Sequence, residues 1–517
     1  MSLSQQLNAK HIGINSYSAK QVLVNESIVA QHQQVAMYDL MERAGNAAFE
    51  LLLQRWPNAN KILVIAGKGN NGGYGFIMAR LAHLTDMDVT VLIAGDINNI
   101  HGDALTAYQA MLEVGVNHVF VDDLIDHINQ FNGDVIVDAL FGIGFYGSLN
   151  EPTQALVSHV NQHKAYVLSV DVPSGLCATT GSASQSHAII ADLTVTFIVY
   201  KQGLLTGQAA NFVGELILAE LDLGFAFKDF VYSNNYYQLN SPMLASASPL
   251  KKRLNTSHKG SIGQVLAIGG GKGMPGAIRL ASEAALRSGA ALVSVCCYHD
   301  NQGMVINGRP ELMLAPNQAE ELENSAVFKQ AKVVLIGPGL GQSDWSKALF
   351  NMLISRLEDD QKKWLVVDAD GLTLLSKTNK YYERWVLTPH PKEAARLLAC
   401  DVATIESNRF KAVQDIAKKY GGICILKGAG TLISDGHITV INSTGNAGMA
   451  SGGMGDVLSG VVAALILQAN HYFSAVCSAV YIHGAAGDII ANNNGHRGML
   501  ASDLFCPLQK LVSLENK

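Results

Sequence analysis

The residues able to do chemistry in this 517-residue chain gather in two stretches. In the first, Gly67-Lys-Gly69-Asn70-Asn71-Gly72-Gly73-Tyr74-Gly75 follows directly on an apolar run. Glycines let backbone N–H groups approach an anion, and at a helix start the aligned peptide dipoles favour negative charge. Farther on, Asp138 in VIVDALFG and Asp171 and Ser174 in DVPSG add two carboxylates and a hydroxyl, an oxygen set suited to hard cations. An aspartate closing a strand is equally an ordinary helix cap. The second stretch is Asn446-Ala-Gly448-Met-Ala-Ser451-Gly452-Gly453-Met454-Gly455-Asp456, leading into an apolar helical run. Its glycines offer N–H groups to phosphoryl oxygens, and Asp456 in the first helical turn can take a proton from an attacking hydroxyl. The pattern GxGxxG occurs at residues 67–72, 142–147 and 271–276, which makes it weak alone, since any tight strand-to-helix turn needs such glycines.

These loops need strands to carry them. Apolar, β-branched runs at 61–66, 89–94, 135–139, 165–170 and 193–198 alternate with helical patterns, which predicts a parallel α/β sheet. A helix over 35–56 carries Met37, Leu40, Met41, Ala44, Ala48 and Leu51 on one face and covers that sheet. After a polar stretch at 229–259 the grammar restarts, with strands expected at 264–268, 291–296, 333–336, 364–367, 385–388 and 423–426. The expectation is two α/β domains, residues 1–230 and 231–517, joined near 230–255. With 48% hydrophobic residues, 15% charged and a net charge of −6, the chain is neither disordered nor a generic binder of polyanions, so phosphate recognition has to be local and no nucleic-acid partner is expected. No export signal stands at the N-terminus, the longest apolar stretches are broken by glycine and serine, and seven scattered cysteines lack a CxxC pair. A cytoplasmic protein with buried free thiols and no membrane association is expected.

The N-terminal motifs GKGNNGGYG, DALFGIG, DVPSGL and ADLTVTF leading into Lys201-Gln-Gly203 resemble the epimerase domain of the NAD(P)H-hydrate repair enzymes, over roughly residues 20 to 225. The resemblance implies a Rossmann-like three-layer αβα sandwich. It also implies that Asn70, Asn71, Gly72, Gly73 and Tyr74, together with Gly142, Ile143, Gly144, Phe145, Tyr146, Gly147 and Ser148, hold the damaged nicotinamide nucleotide. Asp171 would be the catalytic group beside it, and Asn71, Asp138 and Ser174 would ligate potassium. Two residues depart from the family pattern: Tyr74 stands where the loop usually has an acid, and Thr179 replaces an acid before the TG of the third motif. Epimerase activity is expected to survive because the potassium-type ligands are intact.

GGMGD at a helix start resembles the ribokinase-like fold, where the aspartate is the base for phosphoryl transfer. Residues Gly337-Pro-Gly339-Leu-Gly341, Asp368-Ala-Asp370, Thr388-Pro-His390-Pro-Lys-Glu393 and Lys427-Gly428-Ala429-Gly430-Thr431 narrow the resemblance to the NAD(P)H-hydrate dehydratase domain, over roughly 250 to 512. Carried over, it places the hydrated nucleotide at Ala277, Gly341, His390 and the catalytic Asp456, and the adenine nucleotide at Lys427, Gly428, Ala429, Gly430, Thr431 and Gly455. The expected activity is epimerisation of R- and S-NADHX and NADPHX, then dehydration of the S-form with ADP rather than ATP as donor, giving AMP and phosphate. Magnesium is the expected metal of this half, with Asp368, Asp370 and Glu393 as available acids, and a homo-oligomer is expected. The alternatives are a ribokinase-like small-molecule kinase with a non-catalytic nucleotide-binding N-terminal domain, and a binding protein without turnover.

Overall fold

The structure is a computed structural model that describes residues 13–120, 124–185, 187–240, 249–357 and 362–513. It separates into two compact units that divide between Asn235 and Tyr236, with Gly13 and Ile14 belonging to the second. Part of the expected linker, residues 241–248, lies outside the described residues.

The N-terminal unit is built on seven strands: β1 (Lys61–Ala66), β2 (Asp88–Ile93), β3 (Asn117–Phe120), β4 (Val135–Ala139), β5 (Tyr166–Val170), β6 (Leu193–Phe197) and β7 (Glu215–Ala219). Their order is 3-2-1-4-5-6-7, every pair parallel. The chain reverses direction across the sheet between β1 and β4, so the loops at their carboxyl ends open side by side, the usual ligand crevice of such a sheet. Helices α1 (Ala19–His32), α2 (Met37–Arg55) and α3 (Asn70–Leu84) supply much of the covering. On α2, Leu40, Met41, Ala44 and Ala48 are buried as the sequence spacing implied, but Met37 and Leu51 are only partly buried and Leu52, not among the residues expected on that face, is fully buried.

The C-terminal unit repeats the plan with β8 (Gln264–Ile268), β9 (Leu292–Cys296), β10 (Leu312–Leu314), β11 (Val333–Ile336), β12 (Trp364–Val367), β13 (Trp385–Leu387), β14 (Ile423–Leu426), β15 (Leu432–Ser434) and β16 (Thr439–Asn442). Across these strands the order is 10-9-8-11-12-13-14-15-16, parallel as far as β14 and antiparallel beyond it. Its reversal lies between β8 and β11. Helices α4 (Pro275–Arg287), α5 (Pro391–Leu398), α6 (Met454–Gln468) and α7 (Tyr472–Asn494) carry or pack around the site.

Helix α6 is apolar on nearly every side because it runs through the core, with Val457 to Leu467 buried throughout. A glycine lets it press against α4: a Cβ at Gly460 would lie 2.0 Å from the Ala281 carbonyl oxygen and 2.9 Å from the Ala284 Cβ. Gly460→Ala therefore forces two helices apart and is expected to cost about 3 kcal/mol, the upper part of the range for overpacked cores, read as a lowered midpoint in thermal unfolding.

Helix α7 corrects the reading of the apolar stretches: at 23 residues with mean hydropathy 1.3 over its window it is long and apolar enough to cross a membrane. That window is 72% buried within the protein, so here the apolar surface serves the core. The seven cysteines are free. Cys177, Cys296, Cys297, Cys424 and Cys477 are buried as expected, but Cys400 is half-buried and Cys506 exposed, because both lie near helix ends rather than in strands or core helices.

Candidate functional site

In the N-terminal unit the glycine loop becomes a helix at once. Gly69 is the extended N-cap of α3 and Asn70 its first residue, so the loop's amides sit at a dipole's positive end. The glycines answer to packing as well. A Cβ at Gly72 would meet the Gly67 carbonyl oxygen at 1.8 Å, one at Gly73 the Met41 sulfur at 2.6 Å, and one at Gly75 the Ala139 Cβ at 2.7 Å. The Gly73 N–H is already donated to the Gly69 carbonyl. Gly69, Gly144 and Gly147 by contrast face open space. Around Gly144, Phe141 and Phe145 stack at 5.4 Å, Ile143 is partly buried, and Tyr146 is 87% exposed.

Asn71, Asp138 and Ser174 come together across the reversal point. The Ser174 hydroxyl donates to Asp138 Oδ1 at 2.5 Å, while Ser169 Oγ and the Ser174 N–H each donate to Oδ2 at 2.8 Å. Burial pushes the Asp138 carboxyl up, against the pull of these donors. Asn71 Nδ2 donates to the Phe141 carbonyl at 2.9 Å, but its Oδ1 is buried without a hydrogen-bond partner. Asp138 and Ser174 are engaged by protein partners, which leaves the orphaned amide oxygen of Asn71 as the open oxygen of the three.

Asp171 directly follows β5 and lies in the left-handed region, at φ 66°, which aspartate tolerates better than most side chains. Its Oδ1 receives Lys201 Nζ at 2.7 Å and Thr196 Oγ1 at 3.2 Å, and both ionic side chains are almost fully enclosed. Lys201 also donates to the Phe197 carbonyl at 2.7 Å. Glu26, on the same face of α1 as buried Val22, Val29 and Ala30, joins this group. Its carboxyl is raised by burial, partly offset by the charge of Lys201 and reinforced by that of Asp171. Tyr74 packs edge-on against Phe197 at 5.0 Å, and burial, then Glu26, Asp171 and Asp103, hold its phenol well above the ordinary range, so it stays neutral. Thr179 takes a structural part, accepting the Ala19 N–H at the start of α1 at 3.0 Å. Sequence reasoning gave Lys201 no role. The signal was available: a lysine in the apolar run TVTFIVYK has to find a buried partner.

In the C-terminal unit the separated motifs converge. Gly453, at φ 90°, is the N-cap of α6, and Asp456 lies in the first turn. A Cβ at Gly455 would lie 3.3 Å from Lys427 Nζ, which brings the KGAGT loop and the GGMGD turn into contact. Lys427 pairs with Asp368 Oδ1 at 2.9 Å and approaches Glu393 Oε2 at 3.9 Å. Burial would lower the lysine, but Asp368, Glu393 and Asp456 outweigh it and raise it above its usual range. Asp456 is pushed up to about 7, by burial and then by the charge of Asp368, with Lys427 opposing. His390 is the N-cap of α5: its Nδ1 accepts from Lys392 N at 3.1 Å and its own N–H donates to Glu393 Oε2 at 2.8 Å. The ring is half-exposed, and burial with nearby Lys427 lowers it below the ordinary histidine range. At the sheet reversal, Ala277 on the first turn of α4 would be 3.1 Å from a Cβ at Gly339, and the Gly341 N–H donates to Asp370 Oδ2 at 2.8 Å. Thr431 Oγ1 folds back onto the Gly428 carbonyl at 2.8 Å, while Gly428 and Ala429 are exposed.

The three acids considered for magnesium are thus all engaged by protein donors, Asp368 by Lys427, Asp370 by Gly341 and Glu393 by His390. Among the described residues no three His, Cys, Asp or Glu side chains converge to hold a metal ion.

The sequence profile described as NAD(P)H-hydrate dehydratase matches residues 265–510, and that of the YjeF-related protein N-terminus matches residues 37–203. The bifunctional NAD(P)H-hydrate repair enzyme of Coxiella burnetii is 43% identical over 484 residues, spanning 93% of this chain and 96% of that protein. The chain belongs to this family. The enzyme of the same name from Escherichia coli is 41% identical, over 93% of this chain and 90% of that one. A ribokinase-like superfamily protein from Enterococcus faecalis has 30% identity and a TM-score of 0.49, covering 55% of this chain and 96% of that structure. The dehydratase profile falls on the C-terminal α/β unit and the YjeF-related profile on the N-terminal one.

Proposed function

We propose that the N-terminal unit interconverts the R- and S-forms of NADHX and NADPHX and that the C-terminal unit dehydrates the S-form at the expense of ADP, releasing AMP and phosphate. The observation that carries the reading is the contact of Lys427 with the turn that bears Asp456. A cation for the donor's phosphates, helix N–H groups and a carboxylate base then stand within one site. Asp456 takes the proton of the substrate's ring hydroxyl as that oxygen attacks the terminal phosphorus of ADP, and the bond to AMP breaks. Phosphate is a far better leaving group than hydroxide, and its departure with the neighbouring ring proton restores the ring double bond. Lys427, Gly428, Ala429, Gly430, Thr431 and Gly455 would hold the adenine nucleotide, and Ala277, Gly341 and His390 the hydrated one. Magnesium would come with the nucleotide's phosphates, its usual mode of binding. Mixing the full-length protein with S-NADHX, ADP and magnesium is expected to restore the near-ultraviolet absorbance of NADH. Accumulation of a stable phosphorylated product without NADH would instead mark a small-molecule kinase.

For the N-terminal half, Asn70, Asn71, Tyr74 and the residues of the 142–148 loop would border the damaged nucleotide, with Asp171 as the proton-handling carboxylate. Potassium would be held by Asn71 Oδ1 with Ser174 and Asp138, supported by the orphaned oxygen described above. Bound only by the folded state, potassium should raise the unfolding temperature of the wild type, and Asn71→Leu should remove that dependence. An equal rise with potassium in both proteins would exclude Asn71 as a ligand. A cytoplasmic homo-oligomer is the expected physiological form.

A further inference from the structure

Asp368 follows β12 and stands at the N-cap of the helix Ala369–Leu375, yet its carboxylate makes no capping hydrogen bond there. The backbone turns sharply after it, with Ala369 in the left-handed region at φ 46°. Instead of capping, the carboxylate is 2% exposed and accepts from Lys427 Nζ at 2.9 Å, Thr388 Oγ1 at 2.7 Å and Ser459 Oγ at 2.5 Å. Ser459 lies three residues after Asp456 on α6, and its hydroxyl is also 2.9 Å from the Gly455 carbonyl. One carboxylate therefore ties the lysine of the nucleotide loop to the helix that presents the base. A charged group that forgoes its local cap and sits beside strained backbone is poorly explained by fold stability alone.

We propose that Asp368 is a positioning residue for phosphoryl transfer, fixing Lys427 and the first turn of α6 at one separation so that donor phosphate and base meet the substrate together. The inference rests on the dehydratase reading above. Burial alone would raise Asp368, but Lys427 and the donors from Ser459, Lys427 and Thr388 outweigh it, so the carboxyl stays below its ordinary range and remains charged. The charged groups facing Asp456 are Asp368 after β12, Glu393 on α5 and Lys427 after β14. Neutralising Asp368 removes a negative neighbour and frees Lys427 to turn toward Asp456, and both changes make Asp456 more acidic.

The test uses the full-length protein with S-NADHX and ADP, and the variants Asp368→Asn, Ser459→Ala and the double variant. Asp368→Asn is expected to lower kcat about 100-fold, the scale of a slight misplacement of reacting groups, to raise KM for ADP, and to move the acid limb of the kcat–pH profile to lower pH. Ser459→Ala, which leaves the charge in place, is expected to lower kcat about tenfold with little change in KM, the effect of one charge-assisted hydrogen bond. The double variant should be no more than about twofold slower than Asp368→Asn, because the hydroxyl acts through the carboxylate. A folded Asp368→Asn protein with wild-type kcat and an unmoved acid limb would overturn the proposal, as would losses that multiply in the double variant. Should Asp368→Asn fail to fold, Ser459→Ala decides, and an unchanged kcat sinks the idea. A wild-type protein that forms no NADH removes the dehydratase reading itself, and the positioning role with it. Active wild type with unaffected variants removes only the positioning role.

Discussion

Asp456→Asn is expected to yield a folded protein that binds ADP and regenerates no measurable NADH from S-NADHX. Asparagine keeps the shape of the side chain but takes no proton, and loss of a general base costs about 10²- to 10⁴-fold in rate. Glu393 cannot stand in, since it is turned to the His390 N–H, and Asp368 is held by Lys427, Thr388 and Ser459. As the proposed base, Asp456 would be active only when deprotonated. With Asp456 pushed up to about 7, dehydration should climb with pH through neutrality and level off above it. Stability carries the opposite sign. A carboxyl raised in the folded state costs stability as pH climbs from its unfolded value of 3.8 to about 7, so Asp456→Asn should unfold at a higher temperature than the wild type, by a margin that widens across that window. Thermal melts at several pH values, run beside the activity assay, separate lost chemistry from lost fold. Retained turnover in the variant would take Asp456 out of the mechanism.

How much of this was readable beforehand follows from burial. Strands buried on both faces are continuous apolar runs, and KILVIA, VIVDA, QVLAI, VVLI, WLVV and ICIL were bounded correctly from sequence alone. The missed strands lack that mark, Glu215–Ala219 being only partly buried, except for two that are buried throughout but carry Ser, Thr or Asn within three or four residues. Asn117–Phe120 is not fully buried at any position, Leu312–Leu314 has three residues, and Leu432–Ser434 and Thr439–Asn442 form a short antiparallel pair. At the sites, glycine loops and strand-end acids were legible because they are local in sequence. Asp368 with Ser459, 91 residues apart, and Asp171 with Lys201, 30 apart, were not, because only the fold brings such partners together.

Lys201→Met is expected to be the most destabilising single change in the N-terminal unit and to abolish epimerisation. The lysine and Asp171 are 2% and 7% exposed and 2.7 Å apart, and removing one member of such a pair strands the other charge in the interior, at about 3–5 kcal/mol. Thr196 Oγ1 at 3.2 Å is a poor substitute for an ammonium group. Glu26 adds to the cost, because the charge of Lys201 now moderates the rise that burial imposes on it, and without the lysine two neighbouring carboxylates repel. The part of the deficit that comes from Glu26 should be greatest at neutral pH and shrink toward acid, where that raised carboxyl takes its proton. Lys201→Met/Asp171→Asn separates stability from catalysis. With no unpaired charge left, most of the lost stability should return, as it does when both members of a buried pair become neutral, whereas epimerisation should not, since the carboxylate proposed to handle the proton is gone. Denaturant unfolding at neutral pH measures the first, and interconversion of purified R- and S-NADHX the second. A double variant as unstable as Lys201→Met would trace the loss to packing of the lysine's aliphatic stem rather than to its charge.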